Sequence, residues 1–226
     1  MDETKQYKII LVGDTSVGKT SILHRLVFNK FSEEYRSTVG ADFLSKTIYQ
    51  NNIITQLQLW DTAGQEKFWC LTEVFWRTAD AVILVYDISC EKSFQNLEFW
   101  YKQFKSKSVN EDGTEKSLPI LVLGNKSDCQ TRAVKQEDVE QWCKEKNIKL
   151  HFEVSAKFSN QIKESVTKLT EYITEGEKEL EKYSHYDVYG EEEQYSSGLL
   201  KSGKKSVKLH SETNRSEDCS SFRCCK

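Results

Sequence analysis

The sequence predicts an α/β fold, a six-stranded, mostly parallel sheet with helices on both faces. Three observations carry that expectation. Short apolar runs alternate with segments of helical periodicity along most of the chain. Two of the runs, residues 81–86 and 120–123, are apolar at every position, as strands covered on both faces are. Two further strands, with Asn51 and Asn52 between them, form a hairpin that adds one antiparallel edge.

Taken in order, residues 7–12 (Tyr-Lys-Ile-Ile-Leu-Val) make a short buried strand that stops at Gly13. Ile22, Leu23, Leu26 and Val27 recur at helical spacing, which predicts a helix over 19–28. The hairpin strands are 43–50 and 55–60, where Leu57 and Leu59 alternate with Gln56 and Gln58. Further helices are expected over 93–107, 135–147 and 161–182, with a last, weaker strand at 150–154. From Ser184 onward Ser, Glu, Lys and Gly dominate without sustained periodicity. Such a segment cannot bury enough apolar surface to offset its ordering entropy. The expected organisation is one domain over 1–183 and a flexible tail over 184–226, with no internal repeat.

Composition narrows the function. The 226 residues carry 32 basic and 35 acidic side chains with the signs mixed, so no basic stripe for nucleic acid stands out. One proline and ten glycines exclude collagen-like and proline-rich classes. The longest apolar run, 81–86, is far short of the ~20 residues that span a bilayer. The first residues, Met1-Asp2-Glu3-Thr4-Lys5-Gln6, hold no apolar stretch like a signal peptide. Cys70, Cys90, Cys129 and Cys143 are scattered, with no paired spacing that suggests zinc, and are expected to be reduced thiols.

The chemistry starts after the first strand. Residues 13–20, Gly13-Asp14-Thr15-Ser16-Val17-Gly18-Lys19-Thr20, follow the pattern G-x-x-x-x-G-K-[ST]. The glycines let successive backbone N–H groups close around phosphates. Lys19 adds a point charge on the outer phosphates, and the Thr20 hydroxyl can ligate Mg²⁺. A helix starting at Lys19 aims its positive end at the same anion. The turn has no G-x-G-x-x-G, so the ligand is a nucleoside triphosphate and the fold class is that of the P-loop NTPases.

Downstream, Leu57-Gln58-Leu59-Trp60 leads into Asp61-Thr62-Ala63-Gly64-Gln65. Asp61, at the end of a strand, can hold Mg²⁺ through water. Gly64 can bring its N–H against a γ-phosphate. Gln65 carries both a donor and an acceptor and can orient an attacking water without being a strong base. The base is chosen by Asn125-Lys126-Ser127-Asp128. A carboxylate at Asp128 accepts a parallel pair of hydrogen bonds from guanine N1–H and the exocyclic amine, a donor pair adenine lacks. Lys126 can lay its stem over the base, and Ser155-Ala156-Lys157 supplies a backbone N–H for guanine O6.

With these motifs in this order at strand ends, residues 5–179 resemble the Ras-like small GTPases and, within them, the Rab family. Rab-like segments are Val39-Gly40-Ala41-Asp42-Phe43, Leu57-Gln58-Leu59-Trp60 and Leu84-Val85-Tyr86-Asp87-Ile88. Gly40-Ala41-Asp42-Phe43-Leu44 and Gln141-Trp142-Cys143 look most like the late-endosomal subgroup. The resemblance implies that Phe31 packs on the guanine face and that Tyr35 lies near the phosphates. It implies that Thr38 ligates Mg²⁺ only when γ-phosphate is present. It makes 31–43 and 61–77 switch segments ordered by GTP, and Phe43, Trp60 and Phe75 an aromatic effector patch. Four features depart from the family pattern. Ser16 stands where glycine is common, Lys67 where arginine is usual, Trp69-Cys70 is unusual, and Thr78 replaces a glycine at the end of the second switch.

The chain ends Ser221-Phe222-Arg223-Cys224-Cys225-Lys226. Arg223 occupies the place a C-a-a-X cysteine would need. The Cys224–Cys225 pair instead looks like a Rab double-geranylgeranylation site, and two lipid chains anchor stably where one is marginal. The resemblance thus implies a Mg²⁺-dependent switch cycling between GTP and GDP in vesicle and endosomal membrane traffic. It would sit on the cytoplasmic face of intracellular membranes, with a cytosolic pool. Its partners would be effectors, an exchange factor, a GTPase activator supplying an arginine in trans, a prenylation escort and a GDP-dissociation inhibitor, and no nucleic acid. The alternative is a nucleotide-locked binding module that hardly turns over because Ser16 and the altered second switch disturb the site.

Overall fold

The computed structural model describes residues 4–34, 36–38, 40–50, 53–62, 76, 78–108 and 116–189; for Gln50 and 179–189 it describes the backbone alone. Strand β1 (Thr4–Val12) lies parallel to β3 (Ile53–Thr62) on one side and to β4 (Ala81–Asp87) on the other. From β4 the sheet continues in parallel through β5 (Ile120–Asn125) to β6 (Leu150–Glu153). The remaining strand, β2 (Ala41–Gln50), runs antiparallel to β3 from Ala41↔Thr62 to Gln50↔Ile53 and forms the edge of the order β2-β3-β1-β4-β5-β6. The six-stranded, mostly parallel sheet is therefore as expected.

The pleat sorts each strand onto two covered faces. Ile9 and Leu11, Ile83 and Val85, and Leu121 and Leu123 meet Ile22 and Leu23 of α1 (Lys19–Phe28) and Val166 and Leu169 of α5 (Ile162–Tyr189). On the opposite face Ile10, Val12, Val82, Leu84 and Val122 meet Trp100 and Phe104 of α3 (Leu97–Lys107) and Val139 and Cys143 of α4 (Gln136–Glu145). Every residue of β4 is buried, which is why its sequence shows no alternation. Burying one such Leu or Ile side chain contributes about 1.5–3 kcal/mol.

Two helices differ from expectation. The helix expected over 93–107 is two, α2 (Glu91–Gln95) and α3, meeting at Asn96. Asn96 keeps helical backbone angles (φ −71°, ψ −11°), and its side chain is drawn to Asp14 at 2.7 Å, which marks the junction. The helix expected to stop at Lys182 runs to Tyr189. No glycine or proline intervenes between Gly176 and Gly190, so nothing in the backbone stops it earlier. The chain divides into two units, Met1–Ser184 and His185–Lys226; the sheet and the cavity described below belong to the first. No described helix is long and apolar enough to cross a membrane. Of the scattered cysteines, Cys90 and Cys129 are exposed free thiols, while Cys143 is buried and its thiol is pushed up to about 11 by burial. Cys70 lies outside the described residues.

Parallel strands deliver their connecting loops to one edge of the sheet, outside their carboxyl ends. The turn after β1, the end of β3 and the loops after β5 and β6 meet there.

Candidate functional site

The turn from β1 into α1 is built around two glycines that no other residue could replace. Gly13 has φ 149°, and a Cβ there would lie 2.2 Å from the Val85 carbonyl oxygen. Gly18 has φ 95°, and a Cβ there would lie 2.2 Å from Asn125 Nδ2. Between them Ser16 takes φ 67°, a left-handed backbone angle that glycine adopts without strain and serine does not. Helix α1 starts without a side-chain cap and without an acid in its first turn, so its positive end faces the turn uncompensated. Lys19 is buried, and its Nζ donates to the carbonyls of Gly13 and Asp14, both at 2.8 Å. Burial pulls its ammonium down to about 8, against the opposing pull of Asp61 and Asp14.

Next to this cradle three oxygen-bearing side chains from three segments converge. Thr20 Oγ1 donates to Asp61 Oδ2 at 2.5 Å, and Thr38 Oγ1 donates to the same oxygen at 3.1 Å. The two hydroxyls are 2.9 Å apart. Asp61 is buried at the end of β3, and its other oxygen, Oδ1, is buried without a hydrogen-bond partner. Burial raises its carboxyl above the ordinary range, although the hydrogen bond from Thr20 and the charge of Lys19 work the other way. A hard cation is the group that such a cluster fits: all its donors are oxygens, and the orphaned carboxylate oxygen gains a partner. Thr20, Thr38 and Asp61 are therefore the residues that would hold Mg²⁺.

On the other side of the cavity lie the loops that follow β5 and β6. Asn125 is buried and acts as a pin, since its Nδ2 donates to the Val17 carbonyl at 2.8 Å and its Oδ1 accepts the Ala156 N–H at 3.2 Å. One amide thus ties the phosphate turn to the segment after β6. Asp128 is aimed by Ser155, whose hydroxyl donates to its Oδ1 at 2.6 Å. Lys126, at φ 66°, is anchored by an ion pair with Asp87 at 2.6 Å. Lys157 reaches across the mouth to Glu33 at 2.8 Å, which holds the Glu33 carboxyl below its ordinary range and raises the Lys157 ammonium.

These segments enclose a cavity of about 550 Å³. Thr15, Ser16, Gly18, Lys19, Thr20, Phe31 and Thr38 line one part of it, and Asn125, Lys126, Asp128, Ala156 and Lys157 the other. Gly13, Asp14, Val17, Asp61 and Ser155 are not among its lining residues and act from behind. Asp14 does so most clearly, because its two carboxylate oxygens accept from Trp100 Nε1 at 2.8 Å and Asn96 Nδ2 at 2.7 Å. Tyr35, Gly64, Gln65, Phe75, Cys224 and Cys225 lie outside the described residues, as do Val39, Lys67, Trp69 and Arg77.

The Ras family model matches residues 8–175 of this chain. The chain belongs to the Ras family, among its Rab GTPases. It is 62% identical to the Ras-related protein Rab-32D of Dictyostelium discoideum, over 99% of this chain and 98% of that one. It is 43% identical to the Ras-related protein Rab7 of Drosophila melanogaster, over 66% of this chain and 72% of that one. It is 39% identical to the Ras-related protein RABG3d of Arabidopsis thaliana, over 84% of this chain and 94% of that one. The family read from the motifs is borne out, and with it a small GTPase of membrane traffic.

In this Rab GTPase, Phe43 and Trp60 face each other across the β2–β3 register, with ring centroids 5.2 Å apart. Phe43 is 45% exposed and Trp60 half-buried, so the described part of the aromatic patch is a surface feature resting on the sheet. Lys8 Nζ lies 4.9 Å from the Trp60 ring centroid. Lys8 also donates to Thr78 Oγ1 at 2.6 Å, so Thr78 is held at its side chain. The sequence reading missed three connections: Asp14 with Asn96 and Trp100, Arg25 with the segment after β6, and Glu33 with Lys157. Their partners are more than 80 residues apart, and no spacing rule marks them.

Proposed function

We propose that this Rab GTPase binds GTP and GDP in the cavity between the phosphate turn and the Asp128 loop, and hydrolyses GTP slowly with Mg²⁺. The observation that carries the reading is the meeting, at one cavity, of a buried lysine, two threonine hydroxyls backed by the buried Asp61, and an oriented carboxylate. Lys19 sits where its charge meets the outer phosphates in place of the two carbonyls it now holds. Asp128, oriented by Ser155, takes the guanine N1–H and amine. Thr20, Thr38 and Asp61 would hold Mg²⁺, which when bound would supply positive charge against the negative charge that develops on the phosphates. Gln65 orients the attacking water, and the aromatic patch of Phe43, Trp60 and Phe75 reads effectors. Phe31 covers the base, and Tyr35 and Gly64 approach the phosphates.

The same reading extends to the membrane. Residues 1–183 form the GTPase domain and 184–226 the tail, and Cys224 and Cys225 carry prenyl groups on the cytoplasmic face of intracellular membranes. The late-endosomal look of Gly40–Leu44, together with the Rab7 likeness, supports an endosomal address. Effectors, an exchange factor, an activator, an escort and a GDP-dissociation inhibitor complete the cycle. No observation favours a nucleotide-locked module. Single-turnover hydrolysis, with and without a broad-acting activator, tests the reading. Gln65→Leu should keep GTP bound while activator-stimulated hydrolysis falls by about 10³-fold or more. Hydrolysis unchanged in Gln65→Leu would move the water-positioning role elsewhere, and no hydrolysis by the wild type would favour the locked module.

A further inference from the structure

The end of α1 holds the segment after β6 through one side chain, Arg25. Helix α1 stops at Asn29, which adopts φ 53° and returns its N–H to the Arg25 carbonyl at 3.0 Å. Arg25 Nη1 donates back to the Asn29 carbonyl at 3.0 Å and to its side-chain oxygen at 3.1 Å, which fixes the guanidinium on its own helix. Its other two nitrogens reach out of the helix. Nε donates to the Ala156 carbonyl and Nη2 to the Lys157 carbonyl, both at 2.8 Å. A planar fork on two consecutive carbonyls sets the orientation of the peptide between them as well as its distance. From the opposite side Asn125 Oδ1 takes the Ala156 N–H at 3.2 Å. Ala156 is thus gripped between the end of α1 and the end of β5, at the wall of the nucleotide cavity.

We propose that Arg25 is a positioning residue for the base: through the Ala156 and Lys157 carbonyls it fixes the Ala156–Lys157 peptide, so that the N–H of that peptide meets the oxygen at position six of guanine. The proposal rests on the guanine reading of Ser155–Lys157 given above and adds to it the group that holds that segment in place. Arg25 touches no part of the nucleotide itself. Its effect is confined to one contact point, which separates it from Asp128 on the N1 and amine edge and from Lys19 on the phosphates. Lysine at 25 would keep the charge but offer a point donor in place of the fork, so it could not fix both carbonyls.

The test is the dissociation rate of GDP and of 6-thio-GDP from the full chain. The thio analogue keeps N1–H and the amine and replaces the oxygen at position six by a poorer acceptor. Wild type should release 6-thio-GDP faster than GDP, by about tenfold for one weakened hydrogen bond. In Arg25→Gln the release of GDP should rise by about that factor while that of 6-thio-GDP changes little, so their ratio collapses toward one. Arg25→Lys should give an intermediate ratio, and it serves as the readout if the glutamine variant does not fold. Faster release of both nucleotides by the same factor, with the ratio preserved, would overturn the proposal and leave Arg25 a general support. Equal release of the two nucleotides from wild type would overturn the reading of the Ala156–Lys157 peptide itself, and the proposal with it.

Discussion

Ser16 is an exposed residue held at φ 67°, in a turn whose shape the phosphate site requires. For an L-residue the left-handed region costs roughly 1–2 kcal/mol through the approach of Cβ to the carbonyl. Glycine removes that strain but loses more chain entropy on folding, about 0.5–1 kcal/mol. Ser16→Gly should therefore stabilise the domain by a net of about 0.5–1 kcal/mol. For a domain of this size that raises the midpoint by roughly 1–4 °C. Ser16→Ala keeps the Cβ and should give no such gain. The reverse experiment is available at Gly40, where φ is 79° and an added Cβ meets nothing within 4 Å. Gly40→Ala introduces strain without a clash and should lower the midpoint by a similar few degrees. The assay is thermal unfolding of the GDP-loaded proteins at one fixed nucleotide concentration, because ligand occupancy shifts apparent stability. An unchanged or lowered midpoint in Ser16→Gly, or an equal gain in Ser16→Ala, would refute the strain argument.

Three further expectations are open to measurement. The Glu33–Lys157 pair closes the cavity mouth with two exposed groups, so Glu33→Gln should speed GDP release only about two- to fivefold, and high salt should have the same effect on wild type. Since the Glu33 carboxyl is held below its ordinary range, the pair's contribution is present above that range and is lost as pH falls through the lowered value; release that stays constant on acidification would remove the strap. Asp128→Asn should weaken GDP binding and improve relative binding of xanthosine diphosphate, and equal losses for both in competition would count against the assigned edge. Changing Cys224 and Cys225 together to serine should abolish two lipid additions in intact-mass measurement of protein from cells and leave GTP binding intact; a wild-type protein on membranes without those additions would place the anchor in a partner.

Much of the nucleotide site was legible in the sequence because its chemistry is local. Gly13 through Thr20 are consecutive, and Asp128 follows Asn125, the last residue of β5, by three positions, so their motifs are visible without a fold. The strands were legible for a related reason, since double coverage leaves β4 apolar at every position. What escaped depends on long-range closure. Asn125 reads as a base contact in its motif, yet both its polar atoms serve a pin between Val17 and Ala156. Asp14 reads as part of the cradle, yet its carboxylate turns to Asn96 and Trp100. The junction at Asn96 has the same origin, because the group that marks it lies in the first turn of the chain.

That last connection makes a spectroscopic handle of Trp100. Its indole N–H ends on a carboxylate whose own backbone carbonyl holds the buried Lys19. Indole emission depends on the charge and polarity at its nitrogen, so a shift of the Asp14 peptide as Lys19 turns to a phosphate would be reported in colour and intensity. Among the described tryptophans, Trp100 is the one joined by a hydrogen bond to the turn after β1. With the others replaced by phenylalanine, the chain would carry a label-free optical gauge of its own occupancy.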